Sequence, residues 1–206
     1  MASGKQAFEK ERFSEAAECY SSAIQRAEKR AEKAHLAAGL SNLAFVYKAQ
    51  REYVQAEPLF KRALLIQETS IGRESSDVAV VLNNLGQLYY EMGKLELAEH
   101  ALKRSLSIRE RIFGPVDPVV SRTLNSLAAL SDKQGNYSQS EGYYERSLKI
   151  QEKRHGNEED LALTLNNLAT LYFREQKYAK AEALYTRSLD LRITSLGSRS
   201  LLVAQS

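Results

Sequence analysis

Amide side chains recur at one place in this chain, at nearly even spacing. Asn83 and Asn84 are adjacent, as are Asn166 and Asn167, and Asn42 occupies the corresponding place nearer the N-terminus. Asparagine is a mediocre helix former, so a merely solvated helix face would more readily carry Lys, Glu or Ala. An amide both donates and accepts hydrogen bonds, so it can hold an extended peptide backbone without requiring one particular side chain. Contact with a peptide backbone is therefore one of two interpretations of these amides.

Both the amides and the arginines near them also have a structural interpretation. Asn side chains on neighbouring helices can hydrogen-bond to each other, and this role is compatible with ligand binding. The arginines either add positive potential near the binding surface or form ion pairs with neighbouring Glu on a solvated face. The arginines in question are Arg62, Arg104, Arg109, Arg146, Arg187 and Arg192.

Residues with the spacing of a catalytic or metal site are missing from the sequence. His35, His100 and His155 lie far apart and lack a second ligand at metal-binding spacing, so we interpret them as surface or packing residues. Cys19 is expected to fill the edge of the core. The acidic run at 158–160 suits the first turn of a helix, where acids complement the helix dipole. We therefore predict no catalytic residues, no metal, no cofactor and no enzymatic activity.

An internal repeat contains the elements that must position the amides. Four related segments begin at Leu40, Leu82, Leu124 and Leu165, at intervals of 42, 42 and 41 residues. They read LSNLAFVYKAQRE, LNNLGQLYYEMGK, LNSLAALSDKQGN and LNNLATLYFREQK. Self-similarity at such a period indicates stacked supersecondary units rather than one globular core.

Each repeat has the pattern of two amphipathic helices. Leu82, Leu85 and Tyr89 share one helical face, and a turn at Gly93 precedes a second helix. Glycines that suit a left-handed cap close the repeats, at Gly72, Gly114, Gly156 and Gly197. Helices are then expected to restart at Ser76-Asp77, at Asp117-Pro118 and at the acidic run. Proline is expected to be absent from helix interiors.

Alternating small and large residues predict close packing between these helices, with ridges of one entering grooves of the next. The small sets are Gly4, Ala44, Gly86, Ala128 and Ala169; Ala16, Ala56, Ala98, Ser140 and Ala181; and Ala23, Ala63, Ser105, Ser147 and Ser188. The large sets are Phe13, Tyr53, Leu95, Tyr137 and Tyr178, and Tyr20, Phe60, Leu102, Tyr144 and Tyr185.

On these residues, the sequence resembles the tetratricopeptide-repeat proteins over residues 3–197. Its longer period and the words LNNLA, KRAL and IRE resemble the repeats of kinesin light chains and nephrocystin-like proteins. The resemblance implies an all-α, right-handed α-solenoid, or superhelix, of about five helix-turn-helix repeats in a single domain spanning 1–206. The expected repeats are 1–36, 37–78, 79–120, 121–161 and 162–199, and residues 200–206 are expected to begin an incomplete further helix.

In that family the outward face of each first helix lines a concave groove where partner peptides lie. The resemblance therefore implies these candidate contacts: Asn42, Lys48, Asn83, Asn84, Gln87, Tyr90, Arg122, Asn125, Asn166, Asn167, Phe173 and Arg174. By analogy with kinesin light chains, an acidic peptide with an aromatic residue would suit the groove. We expect a non-enzymatic adaptor. The alternative is a structural or regulatory array that self-assembles through its terminal helices within a larger signalling protein.

Composition excludes several other classes of partner. The net charge is +3, and acids and bases alternate within every repeat, so there is no basic stripe for nucleic acid. No apolar run is long enough to insert into a membrane. The single Cys19 cannot form an internal disulfide, which favours a reducing compartment, and we expect a cytoplasmic protein.

Overall fold

Helices account for all the regular structure in the parts of the chain that can be described. The computed structural model describes residues 2–153 and 158–204, and the side-chain surroundings of 12–153 and 158–195. These residues form nine α-helices and no strand: α1 Ala2–Lys29, α2 Lys33–Ala49, α3 Tyr53–Ile71, α4 Ser76–Glu91, α5 Leu95–Phe113, α6 Pro118–Lys133, α7 Tyr137–Gln151, α8 Glu158–Arg174 and α9 Tyr178–Ala204. The predicted all-α fold of paired helices is confirmed.

Backbone contacts group the chain into two compact units, Met1–Ile108 (unit 1) and Arg109–Ser206 (unit 2), and their boundary falls inside α5. Within unit 1, Val78, Ala79, Leu82, Ala101 and Ile108 form a buried cluster. Within unit 2, the buried cluster is Ala128, Tyr144, Leu148, Leu165, Leu168, Leu171, Tyr172 and Ala181. In both units leucines of a first helix pack on the small residues of a second helix, as the alternation predicts.

The turn inside each helix pair has a left-handed residue at the same repeat position. Gly93 and Gly135 adopt φ of 75° and 79°, whereas Arg51 and Gln176 adopt φ of 63° and 60°. Glycine accepts this conformation without steric cost, but a residue with a Cβ atom is strained there. The backbone geometry of the turn is therefore kept even where the sequence does not supply glycine.

Two of the four predicted closing glycines have a positive φ, but ψ of Gly72 is 159°, which lies outside the left-handed helical conformation expected of the cap. Gly72 and Gly114 have φ of 96° and 89°, whereas Gly156 lies outside the described residues. The prediction for Gly197 is wrong, because α9 continues through it to Ala204. One glycine costs a helix interior only about 1 kcal/mol relative to alanine, and no proline follows to stop the helix.

The helix starts differ slightly from the expectation. Ser75, rather than Ser76, caps α4 by accepting a hydrogen bond from the Val78 N–H at 3.3 Å. Asp117 caps α6 as predicted, since its Oδ1 accepts from the Val119 N–H at 2.8 Å. The expectation for proline is wrong, because Pro58 lies inside α3.

The first repeat does not contain the expected helix pair. Residues 2–29 form one continuous helix, α1. The segment EKER, at the place of the turn in the later repeats, contains only strong helix formers and has neither Gly nor Pro. Local propensity therefore favours continuation. Gly4 and the rest of the first expected helix precede the residues whose side-chain surroundings are described.

The small residues of the four later repeats are all buried, which confirms the predicted packing. Gly86 makes the closest approach, because a Cβ atom added there would lie 2.5 Å from Cγ of Leu102. The serines in these sets also form hydrogen bonds. Ser105, Ser147 and Ser188 donate to the carbonyls of Ala79, Ser121 and Ala162 at 2.7, 3.2 and 2.7 Å.

The large sets divide into two kinds. Phe60, Leu102 and Tyr144 are buried as predicted, but the prediction is wrong for Tyr185, which is exposed. The set that opens each second helix is less buried than expected, since Tyr53 and Leu95 are half-buried and Tyr137 and Tyr178 are exposed. Residues in the first turn of a helix lie at the edge of the packed layer, so fewer neighbours cover them.

Candidate functional site

In unit 1, the predicted contact residues lie on the facing sides of two first helices, α2 and α4. Lys48 donates from Nζ to Oε1 of Gln87 at 3.0 Å and pairs with Oε1 of Glu91 at 3.5 Å. Its side chain is only 11% exposed. Nζ also lies 5.8 Å from the centre of the exposed Phe45 ring. Lys48 and Gln87 therefore tie neighbouring helices together, and Phe45 remains open to a ligand.

The asparagines of unit 1 differ in exposure. Asn42 is exposed, Asn84 is half-buried and Asn83 is 3% exposed. The predicted outward position of Asn83 is wrong, because α4 packs against both α2 and α3 and its flank is covered. The Oδ1 atom of Asn83 is shielded from solvent and has no hydrogen-bond partner among the described residues. Tyr90 is half-buried on the same helix.

A pocket lies beside Asn42 in unit 1. Its volume is about 300 Å³, and it lies between α2, the end of α3 and the start of α4. Apolar groups form most of its wall: Ala34, Ala37, Ala38, Ile66, Ile71, Val80 and Val81. Two polar atoms at the pocket, Oγ of Ser41 and Oε1 of Gln67, are shielded from solvent and lack partners in the described parts of the chain. Such a cavity can take an apolar side chain.

In unit 2, the facing first helices are α6 and α8. An amide–hydroxyl hydrogen bond and an arginine–aspartate ion pair join them. Asn125 donates from Nδ2 to Oγ1 of Thr164 at 2.6 Å, so this asparagine links neighbouring first helices through a threonine rather than through another asparagine. Arg174 pairs with Oδ2 of Asp132 at 2.5 Å. Asn166 and Asn167 are half-buried, and Arg122 is exposed on α6.

Phe173 is the exposed aromatic residue among the predicted contacts of unit 2. Its ring packs edge-on against Tyr178, with ring centres 5.5 Å apart. The two exposed rings offer an apolar platform beside Arg174, which is suited to an aromatic or aliphatic side chain.

Sequence comparison identifies the family. The model of the family described as tetratricopeptide repeat matches residues 35–111, 77–153 and 160–206, which is more than half of the chain. The chain belongs to the tetratricopeptide repeat family. No curated protein sequence matches it.

Solved tetratricopeptide-like structures have the same fold. BtubC (BKLC) from P. vanneervenii matches with a TM-score of 0.80 and 27% identity, over 90% of this chain and 75% of that chain. A kinesin-light-chain-like protein of Podosopora anserina, with nearly identical TPR-like repeats, matches with a TM-score of 0.71 and 18% identity over 92% of each chain. A Rap protein complexed with Competence and Sporulation Factor matches with a TM-score of 0.75 and 19% identity, over 91% of this chain and 51% of that one. The α-solenoid class and the resemblance to kinesin light chain are confirmed.

Four second-helix arginines of this tetratricopeptide chain form a regular series of ion pairs. Each pairs with a glutamate in or directly after the preceding second helix or, for the first, in α1. The pairs are Arg62–Glu28, Arg104–Glu68, Arg146–Glu110 and Arg187–Glu152, at 2.6, 2.6, 2.6 and 2.8 Å. The ion-pair interpretation is confirmed for these four residues. Arg192 is exposed, and Arg109 is the exception, since it is 5% exposed and has no paired carboxylate among the described residues.

Tyrosine–glutamate–lysine clusters link successive repeats, and sequence reasoning missed them. In unit 1, Tyr89 donates to Oε1 of Glu57 at 3.4 Å, and Lys94 donates to Oε2 at 2.9 Å. In unit 2, Tyr172 donates to Oε1 of Glu141 at 2.6 Å, and Lys177 lies 3.7 Å from Oε2. The signal in the sequence is a lysine five residues after the family's tyrosine, with a glutamate in the preceding second helix.

The clusters shift the pKa values of their members. Burial raises the pKa of Tyr89, and the charge of Glu57 raises it further. Burial and the hydrogen bond to Glu141 raise the pKa of Tyr172. Hydrogen bonds from Lys61 and Lys94 lower the pKa of Glu57. The tyrosines are thus held as neutral donors and the glutamate as a charged acceptor, which is a structural arrangement rather than a catalytic one.

The histidines and the cysteine are dispersed over the surface. His35 and His100 are exposed, and His155 lies outside the described residues. Cys19 is exposed, so the expectation that it fills the core edge is wrong; its side of α1 is not covered by another helix. Within residues 2–153 and 158–204, no three His, Cys, Asp or Glu side chains are grouped for a metal ion. No described helix is both long enough and apolar enough to cross a membrane.

Proposed function

We propose that this chain is a non-enzymatic adaptor that binds an extended or helical segment of a partner protein along the outward faces of its first helices. The observation that carries the proposal is the pocket of unit 1. Its walls are mostly apolar, and the exposed Asn42 lines it. A peptide can place a side chain in such a pocket while the amide beside it holds the peptide backbone.

The chemistry of the exposed residues favours a ligand that contains an aromatic residue and acidic residues. The pocket, Phe45 and Phe173 offer apolar contact, whereas Arg122 and Arg174 are cations on the predicted contact faces. The complex of a Rap protein with Competence and Sporulation Factor supports ligand binding by this fold. The likeness to kinesin-light-chain-like repeats supports an adaptor role. One short peptide in such a groove is expected to bind with micromolar affinity, about −8 kcal/mol.

Selection from a displayed library of random peptides tests the proposal, followed by titration of the selected peptide against variants. Asn42→Ala, Asn84→Ala and Asn167→Ala are each expected to weaken binding about fivefold, because each removes one amide hydrogen-bonding group. Gln55→Ala is the matched control, since Gln55 is exposed on α3 and lies outside the pocket. Unchanged affinity in all three asparagine variants would exclude the proposed contacts.

Self-assembly through the last helix is a second candidate function, and one observation favours it. Tyr144 and Leu148 of α7 are 4% and 8% exposed, because α8 and α9 cover them. The corresponding residues of α9, Tyr185 and Leu189, are 37% and 57% exposed, and Ile193 extends the same face. An uncovered apolar face of this kind suits a first helix from another copy or from a longer array.

Sedimentation equilibrium over a range of protein concentrations separates the two functions. Self-assembly predicts association that Leu189→Glu abolishes, whereas Glu182→Ala, on an exposed position of the same helix, leaves it unchanged. A monomer at every concentration would exclude self-assembly of this chain and leave the adaptor proposal in place.

A further inference from the structure

The turn after α2 has the backbone geometry of the later turns but carries a different charge. In the Tyr–Glu–Lys cluster of unit 1, the backbone N–H of Lys94 donates to the carbonyl of Tyr89 at 2.9 Å, and the cluster of unit 2 has the same bond at 2.9 Å. In the turn after α2, the backbone N–H of Glu52 donates to the carbonyl of Tyr47 at 2.8 Å. Glu52 therefore holds the place of the cluster's lysine, with the opposite charge.

The cluster's glutamate is replaced in this part of the chain as well. In unit 1 the cluster's glutamate directly follows a small residue of the second helix, since Glu57 follows Ala56. The matching small residue of α1 is Ala16, and Ala17 follows it. A methyl group thus stands where the later clusters have a carboxylate. The hydroxyl of Tyr47 accordingly has no hydrogen-bond partner among the described residues.

A cavity of about 540 Å³ lies beside these residues, between α1, the end of α2 and the turn that follows it. Tyr47 and Ala17 line it together with the carboxylates of Glu18 and Glu52. The other lining residues are polar and neutral: Ser14, Ser21, Ser22, Gln25 and Gln50. The described lining contains no lysine or arginine, so the cavity has a negative charge that none of its own groups neutralises.

Neither carboxylate has a structural partner in the described part of the chain. Glu52 precedes α3, but its side chain makes no capping hydrogen bond. Glu18 and Glu52 are both exposed, and neither forms an ion pair with the described residues. Arg51 is next to Glu52 in the chain, but it lines a different pocket, with Phe45 and Tyr53. Both acids are therefore accessible to a ligand in the cavity.

The later clusters show which group fits beside this tyrosine. The ammonium of Lys94 lies 5.8 Å from the centre of the Tyr89 ring and 2.9 Å from Oε2 of Glu57. In the cluster of unit 2, the lysine ammonium lies 5.4 Å from the centre of the tyrosine ring. An ammonium is attracted both by an aromatic ring and by a carboxylate. At Tyr47 the ring and the carboxylates are present, but the described lining supplies no ammonium.

We propose that the cavity at Tyr47 receives the ammonium group of a lysine side chain from a partner protein. The hydroxyl and amide oxygens of the wall can accept hydrogen bonds from the ammonium, and Glu18 and Glu52 balance its charge. Lysine is the favoured source because a lysine side chain occupies this place in both later clusters. The cavity shares no residue with the pocket beside Asn42, so this inference goes beyond the proposed function and does not depend on it.

A small probe tests the receptor without any partner protein. The ¹⁵N-labelled full chain is titrated with the methylamide of Nα-acetyllysine, which carries one ammonium, and with its Nε-acetylated counterpart, which carries none. We expect the side-chain amide resonances of Gln25 and Gln50 to move saturably at millimolar ammonium and to stay in place with the acetylated compound. No movement with the ammonium compound would overturn the proposal. Saturation by spermidine alone would also overturn it, because the ligand would then be a polyamine.

Single variants locate the binding. Glu18→Gln and Glu52→Gln are each expected to weaken binding of the lysine derivative about threefold to fivefold, as expected for the loss of a partly exposed ion pair. Glu15→Gln is the matched control, since Glu15 is exposed on α1 and does not line the cavity. Undiminished binding in both cavity variants would overturn the assignment. An equal loss in the control would also do so, because it would indicate general attraction to an acidic surface.

A double variant separates binding from folding. Ala17→Glu combined with Glu52→Lys places the residues of the later clusters beside Tyr47. The new lysine should occupy the cavity, so we expect binding of the lysine derivative to be abolished. The melting temperature should be equal or higher, because the same three residue types already pack together in both later clusters. Retained binding in this folded variant would overturn the proposal.

Discussion

The two units contain the same Tyr–Glu–Lys cluster, but its central hydrogen bond differs between them. Tyr172 and Glu141 of unit 2 are 2.6 Å apart, whereas Tyr89 and Glu57 of unit 1 are 3.4 Å apart. Glu57 is also held by Lys61 at 2.7 Å and by Lys94 at 2.9 Å. Because two lysine ammonium groups already interact with the Glu57 carboxylate, its hydrogen bond with the phenol of Tyr89 is expected to be weaker. The position in the repeat thus determines that the tyrosine and the glutamate lie close together. The residues next to the glutamate, such as Lys61, determine how strongly the two interact.

The helix contacts of the two units differ in the same way. In unit 1, Gly86 faces Leu102, whereas in unit 2 the corresponding pair is Ala128 and Tyr144. A branched leucine crowds the helix that it covers, and a flat aromatic ring leaves room for one more methyl group. Small and large residues therefore vary together within a pair rather than independently along the chain.

The largest effect is expected from adding one methyl group in unit 1. Gly86→Ala brings Cβ to 2.5 Å from Cγ of the fully buried Leu102. Overpacking of this kind costs about 1–3 kcal/mol, partly offset by the better helix propensity of alanine. Urea denaturation measures the loss. Combining the change with Leu102→Ala should cost less than the two single changes together. If the losses of the two single variants simply added in the double variant, the cost of Gly86→Ala would not come from crowding against Leu102.

The next effect is expected from removing the phenol of unit 2. Tyr172→Phe should lower the free energy of unfolding by about 1.5–2 kcal/mol, because a short hydrogen bond to a charged carboxylate is lost. Tyr89→Phe, its match in unit 1, should cost under about 1 kcal/mol, since its bond is long. Equal costs in thermal denaturation would contradict the contrast between the units.

One further variant sharpens that contrast. Glu145 occupies in unit 2 the place that Lys61 occupies in unit 1, four residues after the cluster's glutamate. Glu145→Lys should supply Glu141 with an ammonium group and reduce the cost of Tyr172→Phe towards that of Tyr89→Phe. No change in that cost would show that the neighbouring lysine is not the cause.

A smaller and stabilising effect is expected at the turns, where the two units should agree. Arg51 and Gln176 hold left-handed backbone conformations that Gly93 and Gly135 hold without strain. Arg51→Gly and Gln176→Gly should each raise the free energy of unfolding by about 0.5–1 kcal/mol, after the extra entropy of glycine in the unfolded chain is subtracted. Gly135→Ala should be destabilising in the same urea series. If both Arg51→Gly and Gln176→Gly lowered the stability, the backbone at these two residues would not be strained.

The smallest effect concerns acid and unit 1. The folded-state pKa of Glu57 is below its ordinary value of 4.5, because Lys61 and Lys94 hydrogen-bond to its charged form. Its contribution to stability is therefore present above pH 4.5 and is lost as the pH falls through the lower, folded-state pKa. The free energy of unfolding of the parent chain and of Glu57→Gln is measured from about pH 7 to about pH 3. At neutral pH the parent chain should be more stable by under about 1 kcal/mol, and this difference should disappear as the pH falls. A stability difference that does not change with pH would show that it does not come from the charged form of Glu57.

The helix pairs and their packing faces are predictable from sequence because their signals are local. Leu82 and Leu85 recur at helical spacing, and Gly72 and Gly114 mark backbone conformations that other residues resist. The candidate site is less predictable. Helical spacing alone assigned Asn83 outward, but the approach of α2 and α3 buries it.

The sequence alone determined the period, the alternation of small and large residues, and the amides that recur with them, because each of these depends only on residue types and their spacing along the chain. Only the tertiary structure decided which polar groups remain available. Lys48 and Asn125 are used to join helices, whereas Arg109 is buried with its Nε–H unpartnered. Those outcomes depend on contacts between residues far apart in the chain, where the identity of one neighbour determines whether a polar group is paired or left without a partner.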